Sequence, residues 1–243
     1  MSLRFEELAW ADTLIGTLSL RRRIEPALDR EVFEVKIDDE YLMSSLFTVA
    51  EEELARIALA ELDRPDAQVL VGGLGLGYTA VAALEDPRVA GVTVVEALAP
   101  VIDWHERELL PASAELVRDP RTRLVMADFF AAVADPAQHG GAAYRRYDAL
   151  LVDIDHSPRH VLSPTHAPFY EAAGLRSLGA WLTPGGVFAL WSDDPPDTDF
   201  LTVLEEVFVE ARAEIVTFAN PLTRGESANT VYVARELRAG EPG

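Results

Sequence analysis

The stretch VLVGGLGLGYTA, residues 69–80, places four glycines within six positions directly after an aliphatic run. The run is typical of a buried strand, and the continuation YTAVAALED has the composition of a helix. Glycine has no Cβ atom, so the backbone of such a turn can approach a ligand closely, while the first helical turn offers free N–H groups. The stretch therefore predicts a strand, a glycine turn and a helix that together bind part of a nucleotide.

Strand-like and helix-like segments alternate along the chain beyond Pro65. Short runs rich in Val, Leu and Ile favour parallel strands that are covered by helices on both faces. The predicted strands are QVLVGG, VTVVEA, RLVMAD, YDALLVDI, GVFALWS, AEIVTFA and NTVYVAR. The last two, residues 213–219 and 228–235, are joined by a loop too short for a parallel crossover, so they should be antiparallel. We predict an α/β fold with a seven-stranded mixed sheet over about residues 68–235, in the order 3-2-1-4-5-7-6.

A small β domain is predicted ahead of this sheet, over residues 1–48. TLIGTLSLRRR, EVFEVKI and EYLM carry strand signals and are separated by turns. Apolar residues then recur at helical spacing, which predicts a linking helix over residues 49–66. The main domain follows over residues 67–236, and ELRAGEPG predicts a disordered tail over residues 237–243.

The composition excludes several kinds of site. The chain of 243 residues has no cysteine, which excludes disulfides, thiolate metal sites and cysteine nucleophiles. A formal net charge of -20 argues against a nucleic-acid backbone as partner. The histidines show no metal-ligand spacing, so we expect no metal and assign packing or surface roles to His105, His139, His160 and His166. The start MSLRFEEL has no signal pattern and no apolar run approaches the ~20 residues that span a bilayer, so we expect a cytoplasmic protein.

An acidic residue follows the second predicted strand. Glu96 ends VTVVEA, nineteen residues after Gly77, where its side chain can accept hydrogen bonds from both ribose hydroxyls. The glycines also satisfy the dinucleotide fingerprint as Gly75-x-Gly77-x-x-Ala80. Dinucleotide-binding and methyltransferase-type Rossmann folds share both features. They therefore predict a nucleoside ligand without choosing between NAD and a sulfonium nucleoside.

The segments downstream favour the sulfonium nucleoside. RLVMADFF places Asp128 where methyltransferase-like folds use an acid or amide against the adenine amino group, and Phe129 follows as a candidate wall for the ring. LTPGGVFAL is the Pro-Gly-Gly turn that leads those folds into a fifth strand. We therefore predict a Rossmann-like, S-adenosylmethionine-dependent methyltransferase fold, in which the loop from Gly73 to Gly77 holds the tail end of the nucleoside.

Two carboxylates and a histidine follow the fourth strand in VDIDHSP, residues 152–158. Ligands bind beyond the carboxyl ends of the strands in open α/β sheets, so Asp153, Asp155 and His156 are candidate catalytic residues. Side chains alternate along an extended segment, which predicts that Asp153 and Asp155 share a face. A carboxylate here can orient an amine and take its proton, and His156 can share that work. The alternative is that Asp155 or His156 caps the following loop and Asp153 alone faces the cofactor.

Five motifs, taken in order, resemble the spermidine synthase family of aminopropyltransferases. They are DDEYLMSS, VLVGGLGLG, VVEA, DPRTRLVMAD and YDALLVDIDHSP, and they lie within about residues 38–192. The resemblance implies a small N-terminal sheet, a homodimer, and attack by the amine of a diamine on the aminopropyl carbon of decarboxylated S-adenosylmethionine. It also implies that Glu96 holds the ribose, that Asp128 holds the adenine, and that Asp153 assists deprotonation of the attacking amine.

Two positions depart from the family pattern. The family has an acid inside the glycine loop, which binds the amine of the transferred aminopropyl group, and this chain has Leu76 there. The D-x-x-D acids that grip the diamine become Asp153 and His156, with Asp155 shifted by one. Both departures remove negative charge that would meet a cationic substrate. A loop without the acid also no longer repels the carboxylate of intact S-adenosylmethionine.

Three functions therefore stay open. An aminopropyltransferase of polyamine biosynthesis is first by resemblance, a small-molecule methyltransferase that uses intact S-adenosylmethionine is second by site chemistry, and a nucleoside-binding protein without catalysis is third. The predicted partners are a small-molecule amine and a second copy of the chain, with no nucleic acid and no membrane. The homodimer is also expected because Leu14, Ile15 and Leu18 should be exposed, and a small sheet with open edges tends to be covered by a partner.

Overall fold

The computed structural model describes residues 5–13, 15–139, 141 and 145–238. An antiparallel sheet of four strands comes first, with the strands in chain order. They are β1 (Phe5–Thr13), β2 (Gly16–Glu25), β3 (Arg30–Ile37) and β4 (Glu40–Ser44). Most of β1 lies before the first segment that the sequence predicts as a strand. Its sequence, FEELAWADT, lacks a run of β-branched residues, and β1 lies at the edge of the sheet, so the sequence pattern does not predict it.

The N-terminal sheet buries part of its surface against the rest of the chain. Leu18 and Leu20 of β2 are fully buried and belong to the same apolar cluster as Leu54 of helix α1 (Val49–Ala60). The expectation that Leu18 is exposed is therefore wrong, because β2 is an inner strand whose alternate side chains face this cluster. Ile15 is exposed, as expected, and Leu14 lies outside the described residues.

A seven-stranded mixed sheet forms the centre of the main domain. Its strands are β5 (Ala67–Gly72), β6 (Val89–Glu96), β7 (Thr122–Met126), β8 (Tyr147–Val152), β9 (Leu182–Ser192), β10 (Phe208–Asn220) and β11 (Gly225–Leu237). Their spatial order is β7-β6-β5-β8-β9-β11-β10, and β11 runs antiparallel to both of its neighbours. The predicted order 3-2-1-4-5-7-6 is confirmed, and this mixed sheet argues against the NAD alternative.

The final hairpin is longer than the sequence patterns indicate. Its two strands have 13 residues each and are paired from Phe208 with Leu237 to Asn220 with Gly225. The strand β11 therefore includes Leu237, contrary to the prediction of a disordered tail from this residue onward, and Arg238 still donates its N–H to the carbonyl of Val207. The remaining tail residues, from 239 onward, lie outside the described residues.

Helices cover both faces of the central sheet. One apolar cluster joins the N-terminal sheet to α1, α2 (Tyr78–Glu85), α3 (Ala99–Glu106) and α4 (Ser113–Arg118). The other joins α5 (Phe129–Ala134), a 3-10 helix (Pro164–Tyr170), α7 (Ala172–Gly179) and α8 (Thr198–Val207), while the short α6 (Pro136–His139) follows α5. Alternate residues of β5 enter the two clusters, Val69 and Val71 the first and Leu70 the second. Within the part of the chain that the structure describes, no helix is both long and apolar enough to cross a membrane.

Candidate functional site

The glycine loop connects β5 to α2 at the carboxyl end of the central sheet. Gly73, Gly75 and Gly77 all have positive φ angles, of 95°, 48° and 92°. A Cβ atom on Gly73 would lie 2.1 Å from the carbonyl oxygen of Asp153, and one on Gly77 would lie 2.9 Å from Cε1 of His105. The fold itself therefore requires glycine at these two positions, and the loop lies against the segment that follows β8.

Glu96 ends β6 beside the glycine loop. Its Oε2 accepts a hydrogen bond from the backbone N–H of Leu74 at 3.0 Å, and its Oε1 accepts one from Leu98 at 2.8 Å. Burial raises the pKa of the carboxyl group, and the surrounding backbone N–H groups oppose that rise. Glu96 therefore ties the loop to the end of β6, and its contact with a ribose stays a prediction.

The two residues predicted to meet the adenine differ in their surroundings. Asp128 is exposed and caps α5, accepting the backbone N–H of Ala131 through Oδ1 at 3.0 Å. Phe129 is only 3% exposed, and a Cβ atom on Gly72 would lie 2.9 Å from its ring. The first turn of α5 directs Phe129 into the apolar cluster on that side of the sheet. Phe129 therefore packs in the core, and its role as a wall for the adenine stays a prediction.

Asp153 lies directly after β8 and is paired with a residue that sequence patterns did not single out. Its Oδ2 accepts a hydrogen bond from Oγ1 of Thr79 in α2 at 2.7 Å. Burial raises the pKa of Asp153 to about 6. Burial and the charge of Asp153 raise the pKa of Glu51, in the first turn of α1, to about 8. The two groups together can hold one proton and one negative charge next to the glycine loop.

Glu51 was missed because its signal is not specific. It opens the acidic run EEE at residues 51–53, and acids in a first helical turn are expected from the helix dipole alone. Glu52 and Glu53 of the same run pair with Arg56 on the helix surface. The packing of α1 against α2 and β8 brings Glu51 toward Asp153, so no spacing within the sequence indicates the pair.

Asp155 does not share a face with Asp153. Asp155 is only 2% exposed. Its Oδ1 accepts a hydrogen bond from the backbone N–H of Leu162 at 2.7 Å, and the same oxygen lies 2.8 Å from Nδ1 of His166. Its Oδ2 accepts the hydroxyl of Tyr170 at 2.8 Å. The predicted alternation is wrong here because β8 ends at Val152 and the chain bends at Asp155. Asp155 anchors the loop that follows, as the alternative interpretation proposed.

His156 links two loops through its backbone. Its side chain is exposed, and its carbonyl oxygen accepts the N–H of Asp193 at 2.7 Å. The Asp193 carboxylate in turn accepts a hydrogen bond from Asn229 at 2.6 Å and contributes to the raised pKa of Glu51. The structure therefore adds Asp193 to the surroundings of the acid pair, while a proton-transfer role of the His156 ring stays a prediction.

Ser157, His160 and Asp194 form a cluster that superficially suggests a nucleophilic triad. Ser157 donates its hydroxyl directly to Asp194 at 2.6 Å, and Nδ1 of His160 lies 2.8 Å from the same carboxylate oxygen. Ser157 and Asp194 therefore both contact Nδ1 of His160. In a catalytic triad the serine contacts one ring nitrogen of the histidine and the aspartate contacts the other. The hydrogen bond to Ser157 lowers the pKa of Asp194, and the cluster fixes a loop.

Leu76 occupies the loop position where the family pattern has an acid. It is 6% exposed and packs in the same cluster as Leu74, α1 and α2. Met43 of β4 packs close to the loop: a Cβ atom built on Gly75 would lie 3.4 Å from the Met43 sulfur. The surroundings of the loop on this side are therefore apolar.

Two solved structures that this chain resembles are spermidine synthases. A spermidine synthase in complex with the transition state analogue AdoDATO matches 95% of this chain and 73% of its own, with a TM-score of 0.72 and 18% sequence identity. The spermidine synthase from Thermotoga maritima matches 95% of this chain and 72% of its own, with a TM-score of 0.71 and 19% identity. The fold is thus that of spermidine synthase, and the resemblance indicated by the motifs is confirmed.

Curated proteins resemble part of the sequence. Putrescine N-methyltransferase 1 of Nicotiana tabacum is 31% identical over 136 residues, which are 56% of this chain and 33% of that protein. Putrescine N-methyltransferase 2 of Nicotiana attenuata is 32% identical over 136 residues, again 56% of this chain and 33% of that protein. The match thus spans about a third of the relatives' own length. No protein-family model matches the chain.

Proposed function

We propose that this chain, which has the fold of spermidine synthase, transfers an alkyl group from an S-adenosylmethionine-type sulfonium nucleoside to a small-molecule amine. The observation that carries the proposal is the pair of carboxyl groups on Glu51 and Asp153, next to the glycine loop. An amine that attacks carbon has to give up a proton, and a carboxylate with a raised pKa is suited to take it.

Asp153 is the proton acceptor in this proposal. With a pKa of about 6 it is an anion at neutral pH, while Glu51, with a pKa of about 8, keeps its proton. The pair then carries one negative charge, which attracts a protonated amine. The amine passes a proton to Asp153 and forms a new bond to carbon. The bond between that carbon and sulfur breaks, and its electron pair stays on the sulfur.

The nucleoside site consists of three parts around the glycine loop. The loop from Gly73 to Gly77 and the start of α2 receive the tail end of the ligand, and Glu96 receives the ribose hydroxyls. The Glu96 carboxylate accepts the backbone N–H groups of Leu74 and Leu98, and those of Gly75 and Ala97 also favour its charged form, so the ribose hydroxyls share its oxygens with these donors. Because the cap of α5 uses Oδ1 of Asp128, Oδ2 is the atom that we propose for the adenine amino group.

Leu76 favours methyl transfer over aminopropyl transfer. The fold resembles enzymes that are named spermidine synthases, whereas the sequence resembles enzymes that are named putrescine N-methyltransferases. An apolar loop position offers no partner for the amine of decarboxylated S-adenosylmethionine and no repulsion for the carboxylate of the intact form. Aminopropyl transfer stays the second candidate, carried by the overall fold.

Product analysis tests these alternatives. The protein is incubated with putrescine and either S-adenosylmethionine or its decarboxylated form, and the amine is analysed by mass spectrometry. We expect a methylated amine from the first reaction and little aminopropylated amine from the second, and far slower formation of product by Asp153→Asn. An aminopropylated amine would reverse the order of the two transfer reactions. Binding of either nucleoside without turnover, across a panel of amines, would support the non-catalytic alternative.

A further inference from the structure

His105 is a buried polar residue whose side chain contacts the glycine loop. It lies on α3, has no exposed surface, and its Nε2 is 3.0 Å from the carbonyl oxygen of Gly75. Its Nδ1 is 3.1 Å from Oγ of Ser113 in α4, and that oxygen accepts the backbone N–H of Leu110. Burial lowers the pKa of His105, so the ring is neutral at physiological pH.

These contacts determine which nitrogen carries the proton. A carbonyl oxygen can only accept, so Nε2 of His105 must donate to Gly75. In a neutral ring Nδ1 is then an acceptor, and the hydroxyl of Ser113 donates to it. A chain of directed hydrogen bonds therefore runs from α4 through His105 to the loop.

The carbonyl of Gly75 could adopt more than one orientation in the glycine loop. Gly75 has a φ angle of 48°, and without a Cβ atom its peptide groups can turn at little cost. Glu96 fixes the N–H of Leu74 just before it, and the N–H of Gly77 closes the loop onto the carbonyl of Leu74 at 2.8 Å. The N–H group of His105 binds the carbonyl of Gly75 and so fixes the direction in which this carbonyl points.

We infer that His105 is a positioning residue, which selects one orientation of the Gly75 carbonyl and thereby keeps the glycine loop in the form that receives the nucleoside. The inference rests on the proposed function for the identity of the ligand. The effect on the loop itself does not depend on that ligand. Gly77 is part of the arrangement, because any Cβ atom there would meet the His105 ring.

Two substitutions separate positioning from simple loss of packing. In His105→Gln the side-chain amide nitrogen is as many bonds from Cα as Nε2 of histidine, so it can still donate to Gly75. In His105→Asn the amide is one bond shorter and falls short. The stability control is Leu175→Ala, which opens the core on the other face of the sheet without contact to the loop.

Two measurements on the intact protein provide the readouts. One is hydrogen exchange at the Gly77 amide, and the other is calorimetric binding of S-adenosylmethionine and methylthioadenosine. We expect His105→Gln to resemble the unmodified protein. We expect His105→Asn to exchange faster at Gly77 and to bind about tenfold more weakly, equivalent to about 1.4 kcal/mol. Leu175→Ala should lower the melting temperature and leave the dissociation constant unchanged.

Two other outcomes have distinct meanings. Equal exchange and equal affinity in the Gln and Asn variants, matching Leu175→Ala, would overturn the inference. Failure of the unmodified protein to bind either nucleoside, or decarboxylated S-adenosylmethionine, would overturn the proposed function instead. In that case exchange at Gly77 alone decides whether His105 positions the loop.

Discussion

Asp153 and Asp155 are separated by one residue and have different surroundings. Asp153 accepts one hydrogen bond from Thr79 and lies near a second carboxyl group, so its proton can come and go. Asp155 is saturated by a backbone N–H, His166 and Tyr170. Burial and Asp155 raise the pKa of Tyr170 well above its ordinary value, so its hydroxyl stays a donor. The number of fixed partners therefore separates a residue available for chemistry from one that holds a loop.

Asparagine substitutions at Asp153 and Asp155 should affect different properties, the reaction rate at the first position and the stability at the second. Asp153→Asn should slow transfer by ~100- to 10,000-fold, the usual loss for a general base, with little change in melting temperature. Asp155→Asn should lower the free energy of unfolding by ~1–3 kcal/mol, because the amide nitrogen that replaces one carboxylate oxygen cannot accept the hydrogen bonds that this oxygen receives. Steady-state kinetics and thermal melts on both variants check this. Equal loss of rate at matched stability would remove the distinction.

Glu51 should make the stability of the protein depend on pH. Burial and Asp153 raise its pKa from 4.5 to about 8, so the folded state holds a proton that the unfolded state has lost. The stabilising contribution is complete below the unfolded value of 4.5 and is lost as the pH rises through about 8. Glu51→Gln should therefore be more stable than the unmodified protein at about pH 9, by up to about 5 kcal/mol, and similar to it at about pH 4.

Denaturant unfolding of both proteins across this pH range measures the effect. Glu53→Gln is the matched control, because Glu53 lies in the same helix and pairs with Arg56 at the surface. Its stability should follow that of the unmodified protein at every pH. Parallel pH curves for the Glu51 and Glu53 variants would contradict the buried acid pair.

Leu76 should decide which nucleoside the loop prefers. Leu76→Asp adds a partner for the amine of decarboxylated S-adenosylmethionine and repels the carboxylate of the intact form, so the ratio of affinities should shift toward the decarboxylated ligand. Leu76 is 6% exposed, so both Leu76→Asp and the uncharged control Leu76→Asn should lower the melting temperature. Calorimetric titration with both ligands checks this. A strong preference of the unmodified protein for the decarboxylated form would show that another residue replaces the acid.

At the scale of elements, Glu96 connects β6, the glycine loop and the start of α3. Glu96→Ala removes the acceptor of the Leu74 and Leu98 N–H groups as well as the proposed ribose contact. We expect weaker nucleoside binding by ~2–4 kcal/mol, since hydrogen bonds to a charged group contribute ~1.5–3 kcal/mol each and are not additive. A ligand that lacks the ribose hydroxyls separates the two roles. On going to Glu96→Ala, this ligand should lose less affinity than the full nucleoside if Glu96 contacts the ribose, and the same affinity if Glu96 only supports the loop.

The elements differ in how far local sequence predicts them. The runs of β5, β6 and β8 have buried residues at nearly every position, and such strands are recognisable without knowledge of their neighbours. β1 and the ends of the β10–β11 hairpin are not, because they are partly exposed and are extended by pairing with an adjacent strand. Strand pairing depends on two segments at once, so the sequence of one segment alone does not predict where its strand ends.

At the scale of the whole molecule, the N-terminal sheet is the expected site of a homodimer. β1 forms one edge of that sheet, and Trp10 and Phe5 on it are 63% and 50% exposed. An exposed edge strand with large apolar side chains tends to be covered by a second chain. Light scattering at micromolar concentration should report a dimer, and Trp10→Glu should shift it toward the monomer. A monomer in the unmodified protein would contradict the prediction.

The sequence by itself determined the architecture and the order of the motifs. Glycine spacing, aliphatic runs and a loop too short to cross the sheet are local features, and each restricts the backbone wherever it occurs. Only the tertiary structure decided that Asp155 is saturated, that Phe129 is buried, and that Glu51 approaches Asp153. Thr79 and Asp153 are 74 positions apart and His105 and Gly75 are 30 apart. Such contacts depend on how separate elements pack and on where a side chain points once its strand has ended, and a single sequence does not encode either locally.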